Sequence, residues 1–193
     1  TGVFQVSVRR QNDCMVSGGY ILVGDSAWMP KPIDAGGIGP ALIAGTILGK
    51  NVVDAIEAND VTEKGLWQYH LDFIEEYGYK TAGLELFRRL VQTLTNEQIS
   101  YGMKHFLGNV DVEAISKGEH PDFSGLSKLG MIIRGAMNKT VANGLKYTSQ
   151  QNQWLVEHYG NYPKEPEGFE EWEKSLHKTL DESFAKIATF SKN

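Results

Sequence analysis

The sequence predicts a mainly α-helical protein with a small β element near its start. After about residue 38, apolar residues recur at spacings of three and four along most of the chain, which is the pattern of amphipathic helices. Before that point, two short segments have the character of strands. A stretch rich in glycine and proline, residues 24–40, then leads into the first helix and is predicted to be a structured loop.

Two segments make up the predicted β element. Apolar and polar residues alternate over Val3–Val8, as in a half-buried strand, and residues 19–24 form a continuous apolar run bounded by glycines, as in a buried one. A single strand is not stable alone, so the first segment needs a pairing partner. The second segment is one candidate, and a part of a longer chain is the other. The motif described below favours the longer chain.

The helical part begins with residues 40–57, which are apolar on most faces at first and are predicted to form a buried helix. A second helical face runs over 66–77, with a break expected near Gly78 or Gly83. Residues 95–98 read Thr-Asn-Glu-Gln, the form of a capping box at a helix start. Further helical patterns cover residues 111–117, 124–143, 147–159 and 169–187, with a linker at 163–166.

Composition limits the possible functions of the 193-residue chain. The net charge of -5 argues against a nucleic-acid partner. Cys14 is the one cysteine, which rules out an internal disulfide and fits a reducing, cytoplasmic location. No apolar run reaches the length of a membrane-spanning helix, so we expect any membrane contact to be peripheral. The five histidines lack metal-ligand spacing, and no metal site is predicted.

The segment with the clearest chemical content is the end of the second strand and the loop after it. A strand that ends at Gly24-Asp25 places a carboxylate where sheets commonly bind ligands, and a carboxylate can accept hydrogen bonds from sugar-like hydroxyls. The glycines at 36, 37 and 39 allow backbone to approach a flat ligand at the start of a helix. That helix start carries partial positive charge, which suits the negative charge of a reduced flavin.

This segment resembles the second FAD-binding signature of the para-hydroxybenzoate-hydroxylase-like flavoproteins. The matching residues are Gly24-Asp25-Ser26-Ala27, Pro32 and Gly36-Gly37-Ile38, and the order is most similar to that of the geranylgeranyl reductase family. Ala35 stands where that family often has glycine. The family also carries a Gly-x-Gly-x-x-Gly fingerprint, which this sequence lacks.

The resemblance implies a glutathione-reductase-like FAD fold of which this chain is the C-terminal portion. Residues 1–58 would end the FAD-binding domain, and residues 59–193 would form a helical C-terminal domain. Asp25 would bind the ribityl hydroxyls of FAD, and Gly36, Gly37 and Ile38 would line the isoalloxazine. Gly24 and Pro32 belong to the same predicted cofactor site.

The resemblance also implies an activity and its partners. A flavin-dependent reductase of this family would transfer hydride to double bonds of an isoprenoid lipid precursor. It would draw electrons from NAD(P)H or a ferredoxin-like donor. The site would be completed by the N-terminal FAD-binding part of the same protein, so the isolated chain is expected to be inactive. The sequence identifies no catalytic side chain.

Other interpretations stay open at this stage. One is a related flavoprotein that works in electron transfer, or a monooxygenase of the same fold. Another is a non-catalytic helical module that binds a partner through residues 66–107 and 169–187. The simplest interpretation is that residues 20–41 form a strand-to-helix turn in which the glycines only allow the backbone to bend.

Overall fold

A computed structural model of the chain describes residues 5–105 and 138–192. These residues form a mainly helical structure with a two-stranded sheet, as the sequence predicts. The expected helix at 111–117, most of the one at 124–143, and Val3–Phe4 lie outside the described residues. The strands are β1 (Val16–Ser17) and β2 (Tyr20–Ile21). The helices are α1 (Ile38–Glu57), α2 (Glu63–Leu66), α3 (Gln68–Phe73), α4 (Tyr79–Thr93), α5 (Asn96–His105), α6 (Lys139–Gly160) and α7 (Phe169–Ala188).

The β element is a tight antiparallel hairpin. Val16 pairs with Ile21 and Ser17 with Tyr20, and the turn between them contains Gly19 at φ 71°, a conformation that glycine adopts without strain. The predicted buried strand at 19–24 is thus shorter than expected, and it is not buried, because Tyr20 is 59% exposed. Its partner comes from residues 16–17. Residues 5–8 are not in a strand, so the expectation for that segment is wrong over its described part.

The helical core is built around α4. This helix packs against α6 and α7, and α1 packs against α3. A short 3₁₀ turn, Thr189–Lys192, follows α7. On α6, Gly144 lies so close to α4 that an added β-carbon would be 2.5 Å from Leu90 Cδ1. The absence of a side chain at this position therefore sets how near the two helices can come.

Helices α3 and α4 are joined without a break. The residues between them, Ile74–Gly78, form a π-helical turn, and Gly83 lies buried inside α4. The break predicted near Gly78 or Gly83 is therefore replaced by a locally widened helix. Gly78 faces the segment before the hairpin, where an added β-carbon would lie 3.0 Å from Gln11 Nε2.

The predicted capping box is confirmed at the start of α5. The Thr95 hydroxyl accepts a hydrogen bond from the Gln98 amide at 3.2 Å, and the Gln98 side chain accepts one from the Thr95 amide at 2.9 Å. Both amides belong to a helix start and would otherwise lack an acceptor within the helix.

Helix α1 forms where the sequence predicts it but is not buried as expected. One side is buried, at Pro40, Ala44, Asn51 and Ala55. The opposite side is open, with Ile38 exposed by 82% and Leu42 by 68%. An all-round apolar pattern indicates that a helix is covered, and the described residues cover only one side of this one. Among those residues, no helix combines the length and apolar character that crossing a bilayer needs.

Candidate cofactor-binding site

Strand β2 is followed by a short 3₁₀ turn, Gly24–Ala27, that presents Asp25 at the surface. Gly24 has φ 67°, and the Ser26 hydroxyl donates to the Val23 carbonyl at 2.7 Å. The turn ends at Trp28, whose φ of 57° is unusual for a bulky residue. The Arg9 guanidinium lies 4.2 Å from the centre of the Trp28 ring and covers one face of it. Contacts on both sides thus fix the turn: the Ser26 hydrogen bond to Val23 before it and the Arg9 contact with Trp28 after it.

The loop that follows is closed by its own backbone and by Asp34. The Ala35 amide donates to the Lys31 carbonyl at 2.9 Å, and the Lys31 amide donates to the Gly36 carbonyl at 3.2 Å. The Asp34 carboxylate accepts from the Gly36 amide at 2.9 Å and lies 2.9 Å from Lys31 Nζ. Burial alone would raise the pKa of Asp34, but these partners outweigh it and lower that pKa.

Ala35 has a left-handed backbone, with φ 58°. This is the position at which the resembled family often has glycine, and the structure supplies a physical reason for that preference. A side chain at positive φ is strained, whereas glycine is not.

Asp25 lies beside the start of α1. A β-carbon added to Gly37 would be 3.3 Å from Asp25 Oδ1 and 3.3 Å from Pro30 Cγ, so the carboxylate rests against the bare Cα of this glycine. Pro32 is buried beneath the same loop. The structure therefore brings the predicted residues Gly24, Asp25, Pro32, Gly36, Gly37 and Ile38 into one region. Their role in holding a cofactor stays a prediction.

The N-terminus of α1 is open. The Ala41 amide donates to the Gly37 carbonyl at 3.0 Å, while Gly37, at the N-cap position, has no side chain with which to cap the helix. No acidic residue lies in the first turn. Pro40 has no amide hydrogen, so the amides of Ile38 and Gly39 and the positive end of the dipole of a 20-residue helix are available to a negatively polarised group.

An entirely apolar cavity of about 250 Å³ lies between the helices and the loop. It is bounded by α4, α5 and α6, and on the loop side by Ile33, which sits between Pro32 and Asp34. The other lining residues are Phe87, Leu90, Val91, Leu94, Ile99, Gly102, Met103, Val141 and Leu145. The sequence predicted only helix packing in this region, since helical periodicity carries no sign of a gap between helices.

Behind the hairpin, His70 anchors the chain. Its Nε2 accepts a hydrogen bond from the Met15 amide at 3.1 Å and lies 3.7 Å from the sulfur of Cys14. Burial lowers the pKa of His70 to about 3, and burial raises the pKa of the Cys14 thiol. Both groups are therefore neutral near pH 7, and Cys14 lacks the features of a reactive cysteine.

Charged side chains also meet in the interior, and no sequence pattern predicted this contact. Arg10 donates to both carboxylate oxygens of Asp13, at 3.1 and 2.8 Å, and its amide donates to Glu85 at 3.2 Å. His177 Nε2 lies 2.8 Å from Asp13, and the ligand atoms of Asp13, Glu173 and His177 all lie within 4.8 Å of one another. Because Arg10 already engages both oxygens of Asp13, this group is an ion-pair network rather than an assigned metal site.

Comparison with known proteins gives several matches to one kind of enzyme. The chain is 33% identical over 179 residues to a digeranylgeranylglycerophospholipid reductase of Sulfolobus acidocaldarius, which covers 92% of this chain. It is 29% identical over 101 residues to a second such reductase, of Methanopyrus kandleri, and 39% identical over 67 residues to one of Methanothrix thermoacetophila. No family model matches the chain.

These relatives are considerably longer than the chain. The match spans 39% of the Sulfolobus protein and 25% of the Methanopyrus one. The sequence resemblance is thus confirmed by proteins that bear the expected name, and the coverage is consistent with a C-terminal portion. Over 92% of its length, this chain is therefore similar to an enzyme of the geranylgeranyl reductase family.

Proposed function

We propose that the chain forms the C-terminal portion of an FAD-dependent reductase that saturates isoprenoid double bonds of lipid precursors. In this proposal the loop from Gly24 to Ile38 holds the flavin, and the helical part holds the isoprenoid chain. The N-terminal FAD-binding part of the same protein completes the cofactor site.

The observation that carries the proposal is the contact between Asp25 and Gly37. A carboxylate and an uncapped helix start lie next to each other at the surface, although twelve positions separate them in the sequence. A plain strand-to-helix turn needs glycine where the backbone bends. Here Gly37 has φ -104°, which any residue can adopt, so the bend does not account for this glycine. The space beside Asp25 does account for it.

The residues in this region fit FAD. The exposed Asp25 carboxylate suits the ribityl hydroxyls, and the backbone of Gly36, Gly37 and Ile38 suits the edge of the isoalloxazine. The positive end of the α1 dipole stabilises negative charge on whatever group lies in front of it. When bound, FAD supplies the hydride for the reaction.

The apolar cavity supports an isoprenoid chain as the substrate. Its lining is aliphatic and aromatic, and Ile33 joins its wall to the loop that contains Asp34 and Gly36. Such a cavity holds an alkene chain by the hydrophobic effect and excludes water from it. The names of the relatives agree with a geranylgeranyl lipid as the compound that is reduced. The cavity therefore positions the chain while the loop positions the cofactor.

The first experiment measures FAD bound per chain in the longer polypeptide. Asp25→Asn keeps the size of the side chain and removes its charge, so we expect FAD affinity to fall about tenfold or more, equivalent to about 1.4 kcal/mol. Asp54→Asn is the matched control, since Asp54 is exposed on α1 but lies more than four turns from the start of that helix. Equal FAD occupancy in both variants and the parent would contradict the proposal and favour the helical-module interpretation.

The second experiment separates cofactor from substrate. Ile33→Trp fills part of the cavity, and we expect it to abolish reduction of digeranylgeranylglycerophospholipid while FAD occupancy is retained. Ile33→Leu is the control and should keep most activity. Assays with NADPH and with a reduced ferredoxin identify the electron donor. An unchanged turnover in Ile33→Trp would remove the cavity from the proposal, whereas no lipid reduction by the parent protein with either donor would favour an electron-transfer flavoprotein.

A further inference from the structure

The loop from Gly24 to Ile38 contains a lysine that is mostly buried. The side chain of Lys31 is 14% exposed, although the loop lies at the surface. Its Nζ lies 2.9 Å from Asp34 Oδ2, and the Asp34 side chain is 47% exposed. An ion pair this close to the surface contributes little to folding stability. Stability alone therefore does not account for an ammonium group at this position.

Lys31 lies against the bare Cα of Gly36. A β-carbon added to Gly36 would be 2.8 Å from Lys31 Cε and 3.4 Å from Lys31 Nζ. The next glycine leaves room for a charged group in the same way, since a β-carbon added to Gly37 would be 3.3 Å from Asp25 Oδ1. Two consecutive glycines thus make space for the ends of one cationic and one anionic side chain. The ammonium group is therefore placed beside the N-cap of α1, at the glycines that are proposed to line the isoalloxazine.

The charges of this loop bear on the reduction of a flavin. Residues 24–38 contain two carboxylates, Asp25 and Asp34, and one cation, Lys31. Two electrons and one proton convert a neutral flavin ring into an anion, and nearby charges determine how favourable this change is. Two carboxylates alone would oppose it, and the N-terminus of α1 supplies only about half a positive charge. Lys31 supplies the full positive charge that compensates for them.

The two members of the ion pair differ in their contact with water. Lys31 is mostly buried, whereas about half of the Asp34 side chain is exposed. Solvent and salt screen an exposed charge more strongly than a buried one. The Asp34 carboxylate also accepts a hydrogen bond from the Gly36 amide at 2.9 Å, which disperses part of its charge. The field of Lys31 therefore outweighs that of Asp34 near Gly36, although the pair is formally neutral.

We propose that Lys31 raises the reduction potential of the bound flavin by holding its ammonium group beside the ring that becomes negative. This inference rests on the proposed function, because it takes the loop to hold FAD. It goes further by assigning one side chain to the redox property of the cofactor rather than to its binding. The electrons come from the NAD(P)H or ferredoxin-like donor of the proposed function, and Lys31 itself transfers no proton.

The test compares the midpoint potential of bound FAD in the longer polypeptide and its variants, by titration with dithionite against a reference dye. Lys31→Met keeps an apolar stem against Gly36 and removes the charge. We expect reduced FAD to lose about tenfold in affinity relative to oxidised FAD, a fall in potential of about 30 mV for a two-electron couple. The affinity for oxidised FAD should stay close to that of the parent. Equal losses for both oxidation states, with an unchanged potential, would leave Lys31 a structural role only and overturn the proposal.

Asp34→Asn should shift the potential in the opposite direction. Asparagine keeps an acceptor for the Gly36 amide and removes the negative charge, so the charge of Lys31 is less compensated. We expect the potential to rise, and the double variant with Lys31→Met should lie between the two single variants. A fall in potential in both single variants would indicate a disturbed loop rather than an effect of charge, and would reject the proposal.

Lys50→Met is the matched control. Lys50 is exposed on α1, about 18 Å along the helix from Ile38, so the loss of its charge should leave the potential unchanged. If Lys50→Met lowers the potential as much as Lys31→Met does, the net charge of the protein is responsible and not the position of Lys31.

The outcome is separable from that of the proposed function. A fall in FAD occupancy in Asp25→Asn together with an unchanged potential in Lys31→Met would keep the flavin site and reject the role of Lys31. Failure of the parent polypeptide to bind FAD would overturn both proposals. A lowered potential in Lys31→Met supports the role of Lys31 even if the cavity variant Ile33→Trp retains full turnover.

Discussion

The imidazole of His70 accepts a hydrogen bond from the backbone amide of Met15 across 3.1 Å. Because Nε2 is the acceptor, the proton of the neutral ring is assigned to Nδ1, a buried atom without a partner in the described structure. The bond ties the segment before the hairpin to α3, and with it the strand that leads to Asp25. The ring must stay neutral for this bond to exist.

The free energy of unfolding should therefore decrease in acid because His70 becomes protonated. Its pKa is about 3 in the folded protein against 6.5 ordinarily, so the stabilisation is complete above pH 6.5 and declines as the pH falls toward 3. Between pH 7 and pH 5 we expect a loss of about 2 kcal/mol from this residue. His70→Gln keeps an acceptor and does not titrate. Urea denaturation at the two pH values should show a smaller loss for this variant, and equal losses would contradict the assignment.

Ala35→Gly should stabilise the protein. Alanine at φ 58° costs about 1–2 kcal/mol, and the greater freedom of glycine in the unfolded chain offsets about 0.5–1 kcal/mol of that. The melting temperature should rise by a few degrees, as measured by calorimetry. Ala58→Gly is the control, because Ala58 has φ -74° and gains nothing from glycine. A fall in both variants would argue against strain at residue 35.

Gly144→Ala should destabilise the contact between α4 and α6. The added methyl group overlaps Leu90, and overpacking of a core costs about 1–3 kcal/mol. Leu90 borders the apolar cavity and can yield toward it, which favours the lower end of this range. In a double-mutant cycle with Leu90→Ala, the two costs should be less than additive. Simple additivity would show that the two residues do not meet.

Glu85→Ala should be among the most damaging single changes. Glu85 is 1% exposed and accepts from the amide of Arg10, and its other oxygen lies 3.3 Å from Arg89. Removing one member of a buried charged group typically costs about 3–5 kcal/mol, since the remaining charges stay buried. Glu85→Gln retains an acceptor and should cost clearly less in urea denaturation. Equal costs would mean that packing, not charge, dominates at this position.

Structural features that depend on a single segment of the chain were predicted correctly from the sequence. The capping box at Thr95–Gln98 needs only four residues, and the helix at 38–57 and the last helix need only their own apolar periodicity. The loop over residues 24–37 was indicated by its glycines and prolines, and its role in holding a cofactor stays a prediction. The division into domains at residue 58 stays a prediction.

Features that depend on distant partners could not be predicted. Arg10 and Glu85 are 75 positions apart, and Met15 and His70 are 55 apart, so no spacing in the sequence predicts either contact. The early strand over Val3–Val8 was inferred from alternation alone, which does not say whether a partner strand exists. The burial of α1 was overestimated for a related reason, because an apolar pattern does not say which body covers the helix.

The π-helical turn at Ile74–Gly78 inserts one extra residue into an otherwise regular helix. Each residue of an α-helix advances the face by about 100°, so all of α4 is rotated by roughly that angle from the direction that α3 alone would give it. Without the insertion, Glu85 would point away from Arg10 and Leu90 away from Gly144. The placement of the ion pair and of the helix crossing therefore depends on a single added amino acid. Its deletion would rotate the fifteen residues of α4 away from their present packing partners.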